Sequence, residues 1–158
     1  MGDRIDVCDA CWRARHHSAT GYGCMNNEID WVEEQDGGFI KLVGPIFHQT
    51  TSDGNGRFRF HAEAKHKNRA SYVQGGMLMT LADRAMGKTA RQGDPTRAQA
   101  TVQFDMQFLE PVKIGETVDI SCTVVRETRQ LVFMRGELFV EDRHVASAHG
   151  VWKIITRR

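Results

Sequence analysis

The residues of this chain with the greatest chemical potential lie between Val73 and Arg91. Gly75 and Gly76 open a run in which Met77, Leu78, Met79, Leu81, Ala82, Ala85 and Met86 recur at helical spacing. Thr80, Arg84, Lys88 and Arg91 follow one another at spacings of four, four and three, forming one narrow polar stripe on that helix. Asp83 falls beside the stripe, on a face otherwise made of Gly76, Gly87 and Ala90. A carboxylate on a face of small residues is open to a ligand or a second chain. Its plainer reading is an ionised rim group paired with Arg84 or Lys88. The start of the helix offers a second reactive feature. Free backbone N–H groups and the positive end of the helix dipole meet there, and two glycines leave them unshielded.

A helix with so little polar surface needs a partner layer, and the flanking sequence supplies one. Arg57–Ala64 alternates, with Phe58, Phe60, Ala62 and Ala64 on one face. Phe39–Phe47 reads as a strand broken at Gly44-Pro45. Thr51–Gly56 is a cluster of turn residues. Beyond the helix, Gln92-Gly93-Asp94-Pro95 is a stop signal. Ala98–Leu109 then carries Val102, Phe104, Met106 and Phe108 at period two. Thr117–Glu127, Leu131–Glu141 and His144–Thr156 complete a series of hairpin-linked strands. The expected class is α+β, with one central helix against an antiparallel sheet of about five strands. Edge strands left open in such a sheet favour pairing with a second copy, as a homodimer or a dimer of dimers.

The 158 residues suit a single domain with a real core, and a formal net charge of +1 gives no field for nucleic acid. No apolar run reaches the ~20 residues of a membrane span, and no signal pattern precedes the first polar residues. The expected location is the cytoplasm, with reduced thiols. Residues 1–37 read as an N-terminal extension and 38–158 as the folded domain. Within the extension, a short helix is expected around Asp9–His17. Cys8, Cys11, His16 or His17, and Cys24 would supply four zinc donors, but the spacing after the first cysteine pair matches no standard finger. No metal site and no cofactor are assigned.

The stretch His66-Lys-Asn68-Arg-Ala-Ser-Tyr-Val-Gln74-Gly75-Gly76-Met-Leu-Met-Thr-Leu81-Ala82-Asp83 resembles the signature of the hotdog-fold acyl-CoA thioesterases of the phenylacetate-degradation type. Asn68, both glycines and Leu81-Ala82-Asp83 fall in register, and Gln74 stands where the family has histidine. Phe108-Leu-Glu-Pro111-Val-Lys-Ile-Gly115-Glu116 is similar to the family's connector between strands. The resemblance covers about residues 38–156. It implies a hotdog fold, acyl-CoA as the partner molecule, and hydrolysis of a medium-chain or aryl thioester. It further implies Asp83 as base or nucleophile and the Gly75 amide of the other subunit as oxyanion donor. Asn68 would lie near the reacting centre and Thr101 would orient the aspartate or its water. Gln74 would take the place of the histidine by hydrogen bonding alone. Gly76 and Met79 are candidate substrate contacts. His66 is a nearby histidine that could compensate, though a surface position is expected for it. Arg97, Arg126, Arg129 and Lys88 are candidate phosphate partners, each with a solvated charge as its plainer role. A binding or sensing module that has lost the chemistry at Gln74 is the competing class.

Overall fold

A computed structural model describes residues 30–50 and 56–155. The four zinc-donor positions, the Asp9–His17 helix and residues 51–55 of the turn cluster lie outside the described residues. Among the described residues, seven strands form one antiparallel sheet: β1 (Val32–Glu33), β2 (Ile46–Thr50), β3 (Gly56–His61), β4 (Gln99–Phe108), β5 (Thr117–Glu127), β6 (Leu131–Val140) and β7 (Arg143–Ile154). Their order across the sheet is β1-β2-β3-β5-β6-β7-β4. Two helices accompany them, α1 (Gly38–Val43) and α2 (Gly75–Ala90).

The sheet curls around α2. Met77, Leu78, Leu81, Ala82, Ala85, Met86, Thr89 and Ala90 are its buried residues, a stripe repeating at one, three and four positions. They meet Phe58, Phe60, Val118, Ile120, Cys122, Val132, Met134, Leu138, Ala148 and Trp152 from the concave face of the sheet. Full burial of one such large apolar side chain contributes ~1.5–3 kcal/mol. The helix approaches β6 closely because Gly136 has no side chain. A Cβ there would stand 2.9 Å from Met86 Sδ.

Four expectations are corrected. The sheet has seven strands rather than about five, because the chain before residue 57 adds β1 and β2 to its outer edge. Phe39–Val43 is helical, and only the segment after Gly44-Pro45 is a strand. A short run such as Phe-Ile-Lys-Leu-Val has no period long enough to separate the two readings. Finally, Val102 does not belong to the inward face of β4. It is the extra residue of a β-bulge, since Thr101 pairs with Trp152 and Gln103 with Val151, and it is 55% exposed. Ala64, placed on the buried face by its alternation, is also exposed, at the start of a 3-10 turn.

β4 is the free edge of the sheet. It pairs with β7 on one side, and among the described residues nothing pairs with its other side. Ten residues of unpaired edge, with Val102 and Phe108 both more than half exposed, are an open template for another strand.

Candidate active site

The bulge in β4 assembles the centre of the site. Side chains alternate along a strand, so Gln103 and Asp105, opposite Val151 and His149, set the outward parity for odd-numbered residues. The additional residue at Val102 reverses that parity and turns Thr101 inward toward α2. Thr101 Oγ1 then donates a 2.9 Å hydrogen bond to Asp83 Oδ1. Asp83 itself is exposed. It has no ion pair among the described residues, so the rim-pair reading with Arg84 or Lys88 does not hold.

Those two cations are held elsewhere. Glu34, immediately after β1, is buried under the polar stripe of α2. Arg84 donates to Glu34 Oε2 at 2.9 Å, Lys88 bonds Oε1, and His48 Nδ1 lies 2.7 Å from Oε1. Asp36 pairs with Arg84 as well. Burial works to raise the Glu34 pKa. The hydrogen bonds from Lys88 and Arg84, with the charges of Lys88 and His48, outweigh burial and hold it below the usual carboxylate range. Sequence reasoning missed Glu34, because it lies in a stretch without periodicity. The signal was on its partner: a helix stripe of two cations one turn apart requires a counter-charge.

Asp83 and Thr101 open into a cavity of about 560 Å³ that runs along the C-terminal half of α2. Phe58 and Trp152 form apolar walls, and His48, Arg84, Lys88, Arg91 and Gln99 form polar ones.

The remaining sequence candidates occupy other positions. Gly75 is the first residue of α2 and Gln74 its N-cap, with extended backbone and no side-chain capping bond. Met77 N–H bonds Gln74 C=O at 2.8 Å. The amides of Gly75 and Gly76 belong to the first turn, which has no intrahelical acceptors. A Cβ at Gly75 would lie 3.1 Å from the Phe108 ring, so a larger residue there requires that ring to shift. Gly76 and Met79 share the exposed face of α2 with Asp83. Asn68 folds its own loop: Oδ1 accepts from Ala70 N–H at 2.8 Å and Tyr72 N–H at 3.1 Å. His66 is buried, not on the surface. Its Nδ1 accepts from Glu63 N–H at 2.9 Å, so Nε2 carries the proton donated to Val43 C=O at 2.7 Å. With both nitrogens engaged it is a loop anchor rather than a substitute for the family histidine. Of the cations proposed for phosphates, Lys88 is tied to Glu34 and Arg97 to Glu127.

The sequence pattern of the Thioesterase superfamily matches residues 70–147, from the loop before α2 into β7. The chain has the hotdog fold, and residues 70–147 carry the superfamily's pattern. Superfamily relatives with curated names include a Pseudomonas aeruginosa protein named "Putative esterase PA0474", 27% identical over 73% of this chain and 87% of its own length. The human protein Acyl-coenzyme A thioesterase 13 is 22% identical over 67% of this chain and 81% of its own. Among solved structures, the E. coli PaaI protein of the phenylacetic acid degradation operon superposes with a TM-score of 0.68. It is 22% identical, covering 74% of this chain and 83% of its own. Among the described residues, no helix is long and apolar enough to cross a membrane.

Proposed function

We propose that this protein is an acyl-CoA thioesterase, a cytoplasmic homodimer or dimer of dimers that hydrolyses medium-chain or aryl thioesters. The observation that carries the reading is the exposed Asp83 carboxylate, held by Thr101 at the mouth of a cavity. The names of the curated relatives support the substrate class. Asp83 acts as base toward water or as nucleophile toward the thioester carbonyl, and Thr101 fixes its orientation. Gln74 and Asn68 serve the site by shaping the start of α2 and the loop before it, and Gly76 and Met79 line the approach of the substrate.

The helix geometry supports the division of labour between subunits. Gly75 and Asp83 are eight residues apart, ~12 Å along the axis. One thioester carbonyl has to lie ~3 Å from both the oxyanion donor and the attacking group. Both residues of one chain cannot reach it. Antiparallel pairing of β4 with β4 of a second copy would close both open edges and bring Asp83 of one chain near the Gly75 amide of the other. The amide hydrogen then receives the charge that develops on the thioester oxygen, and CoA thiolate leaves readily without an acid.

The experiment is free-thiol release from short, medium, long and aromatic acyl-CoAs, with Asp83→Asn run in parallel. The expected result is hydrolysis of at least one member, reduced ~10²–10⁴-fold in Asp83→Asn. Wild-type turnover by Asp83→Asn would eliminate the mechanism. Gln74 favours a second reading, a binding module, because an amide cannot carry a proton. Acyl-CoA binding without thiol release would select it. A monomer by light scattering at micromolar concentration would contradict the composite site.

A further inference from the structure

We infer that the acyl group taken by this site ends in a carboxylate, which Arg91 receives at the far end of the cavity. The inference rests on the thioesterase reading above and names its substrate class. A cavity built for a purely apolar tail has no use for cations in its wall. This one sets Arg84, Lys88 and Arg91 beside the apolar walls of Phe58 and Trp152.

Arg84 and Lys88 are neutralised by Glu34 and Asp36. Arg91, the C-cap of α2, is the one arginine or lysine of the cavity wall with no carboxylate partner among the described residues. Asp94 also lines the cavity, but its carboxylate is bonded to Thr96. Four buried polar atoms of the wall lack hydrogen-bond partners among the described residues: His48 Nδ1, which lies against Glu34, the acceptor Gln99 Oε1, and the donors Arg84 Nε and Arg91 Nε. An apolar tail would leave the two guanidinium donors unsatisfied, which disfavours binding. A carboxylate would accept from the guanidinium in the bidentate geometry that suits the pair.

The spacing agrees. Asp83 and Arg91 are ~12 Å apart along the helix axis, and helical side chains lean back toward the N-terminus, which shortens the gap. A short dicarboxylic half-thioester would place its thioester at Asp83 and its free carboxylate at Arg91. The apolar stretch between them would lie along Phe58 and Trp152. CoA is the leaving group and remains outside the cavity.

The test compares adipoyl-CoA with hexanoyl-CoA, which share chain length and differ in the terminal charge, on wild type, Arg91→Met and Arg91→Lys. Each variant is first checked for an unchanged melting temperature. The matching pantetheine thioesters, which lack the nucleotide phosphates, are run alongside. The expected result is a wild-type kcat/KM at least tenfold higher for adipoyl-CoA. Arg91→Met should abolish that preference while hexanoyl-CoA turnover stays within twofold, Arg91→Lys should restore part of it, and the pantetheine pair should show the same pattern. Equal rates for the two acyl groups in wild type would overturn the inference. So would an Arg91→Met loss shared by both acyl groups and absent with pantetheine, since Arg91 would then contact CoA phosphate. Should wild type hydrolyse neither of these nor any other member of the acyl-CoA panel, the thioesterase reading fails separately. The inference is then decided by whether adipoyl-CoA protects the protein against heat better than hexanoyl-CoA, and equal protection overturns it.

Discussion

The central helix has two polar sides that contrast in how they are treated. Along one, Arg84 and Lys88 are covered by Glu34, which is buried and satisfied by both cations and by His48. Along the other, Gly76, Met79 and Asp83 are exposed, and among the described residues Asp83 has a single hydrogen bond, from Thr101. Both sides carry carboxylates, yet of these only Asp83 is free of an ion pair among the described residues. Glu34 is fixed by charges that would have to be removed before it could act as a base. Asp83 retains a free oxygen, an open approach and a neighbour that sets its direction. On the proposed reading, the covered side anchors the helix so that the bare side is held still for substrate.

The sharpest way to break this contrast is to remove the amide hydrogen on the bare side. Gly75 is the first helical residue, where proline is well tolerated, and Gln74 already has the extended backbone that precedes proline. Gly75→Pro needs only a small shift of the Phe108 ring. Turnover should fall ~10²–10³-fold with helix content by circular dichroism unchanged. A smaller effect is expected on the covered side. Glu34→Gln weakens the ion pairs, and stability in urea should drop by ~2 kcal/mol, with kcat/KM changed far less than by Gly75→Pro. Equal losses of activity from both substitutions would erase the distinction between anchor and reactive side. Next, Thr101→Val keeps the shape of the strand and removes the hydroxyl, and should lower kcat ~10-fold without altering the melting temperature.

The smallest effect is in acid. The Glu34 pKa is depressed on folding, so its contribution to stability is complete above the unfolded carboxylate value and is lost as pH falls below ~4.3 toward the folded value. Stability against urea should therefore fall more steeply below that pH in wild type than in Glu34→Gln. Parallel curves would remove Glu34 from the account.

Much of the fold was legible because it follows from period: the apolar stripe of α2 and the alternation of β3, β5 and β6 each express one geometry. In the candidate site, the structure matches two expected positions in place: Gly75 opens α2 and Asp83 lies on its exposed face. Thr101 was reached only through its family register. What turns it toward Asp83 is a bulge at Val102, and a bulge leaves no compositional mark when the inserted residue is itself a good strand former. Glu34 and the helix at Phe39–Val43 were hidden for a related reason. Their roles come from contacts with α2 and β2, distant in sequence, rather than from a local pattern. His66 shows the converse, a histidine that suggests chemistry and instead ties a loop to Val43.

The central claim is that Asp83 of one chain works with the Gly75 amide of another. It is tested most directly by mixing Asp83→Asn and Gly75→Pro proteins, each nearly inactive alone, unfolding and refolding them together, and measuring thiol release. Random pairing of equal amounts makes half the dimers mixed, each with one intact composite site, so about a quarter of wild-type turnover should return. If the two residues act within one chain, every site in the mixture carries a defect, and activity will stay at the level of the separate variants.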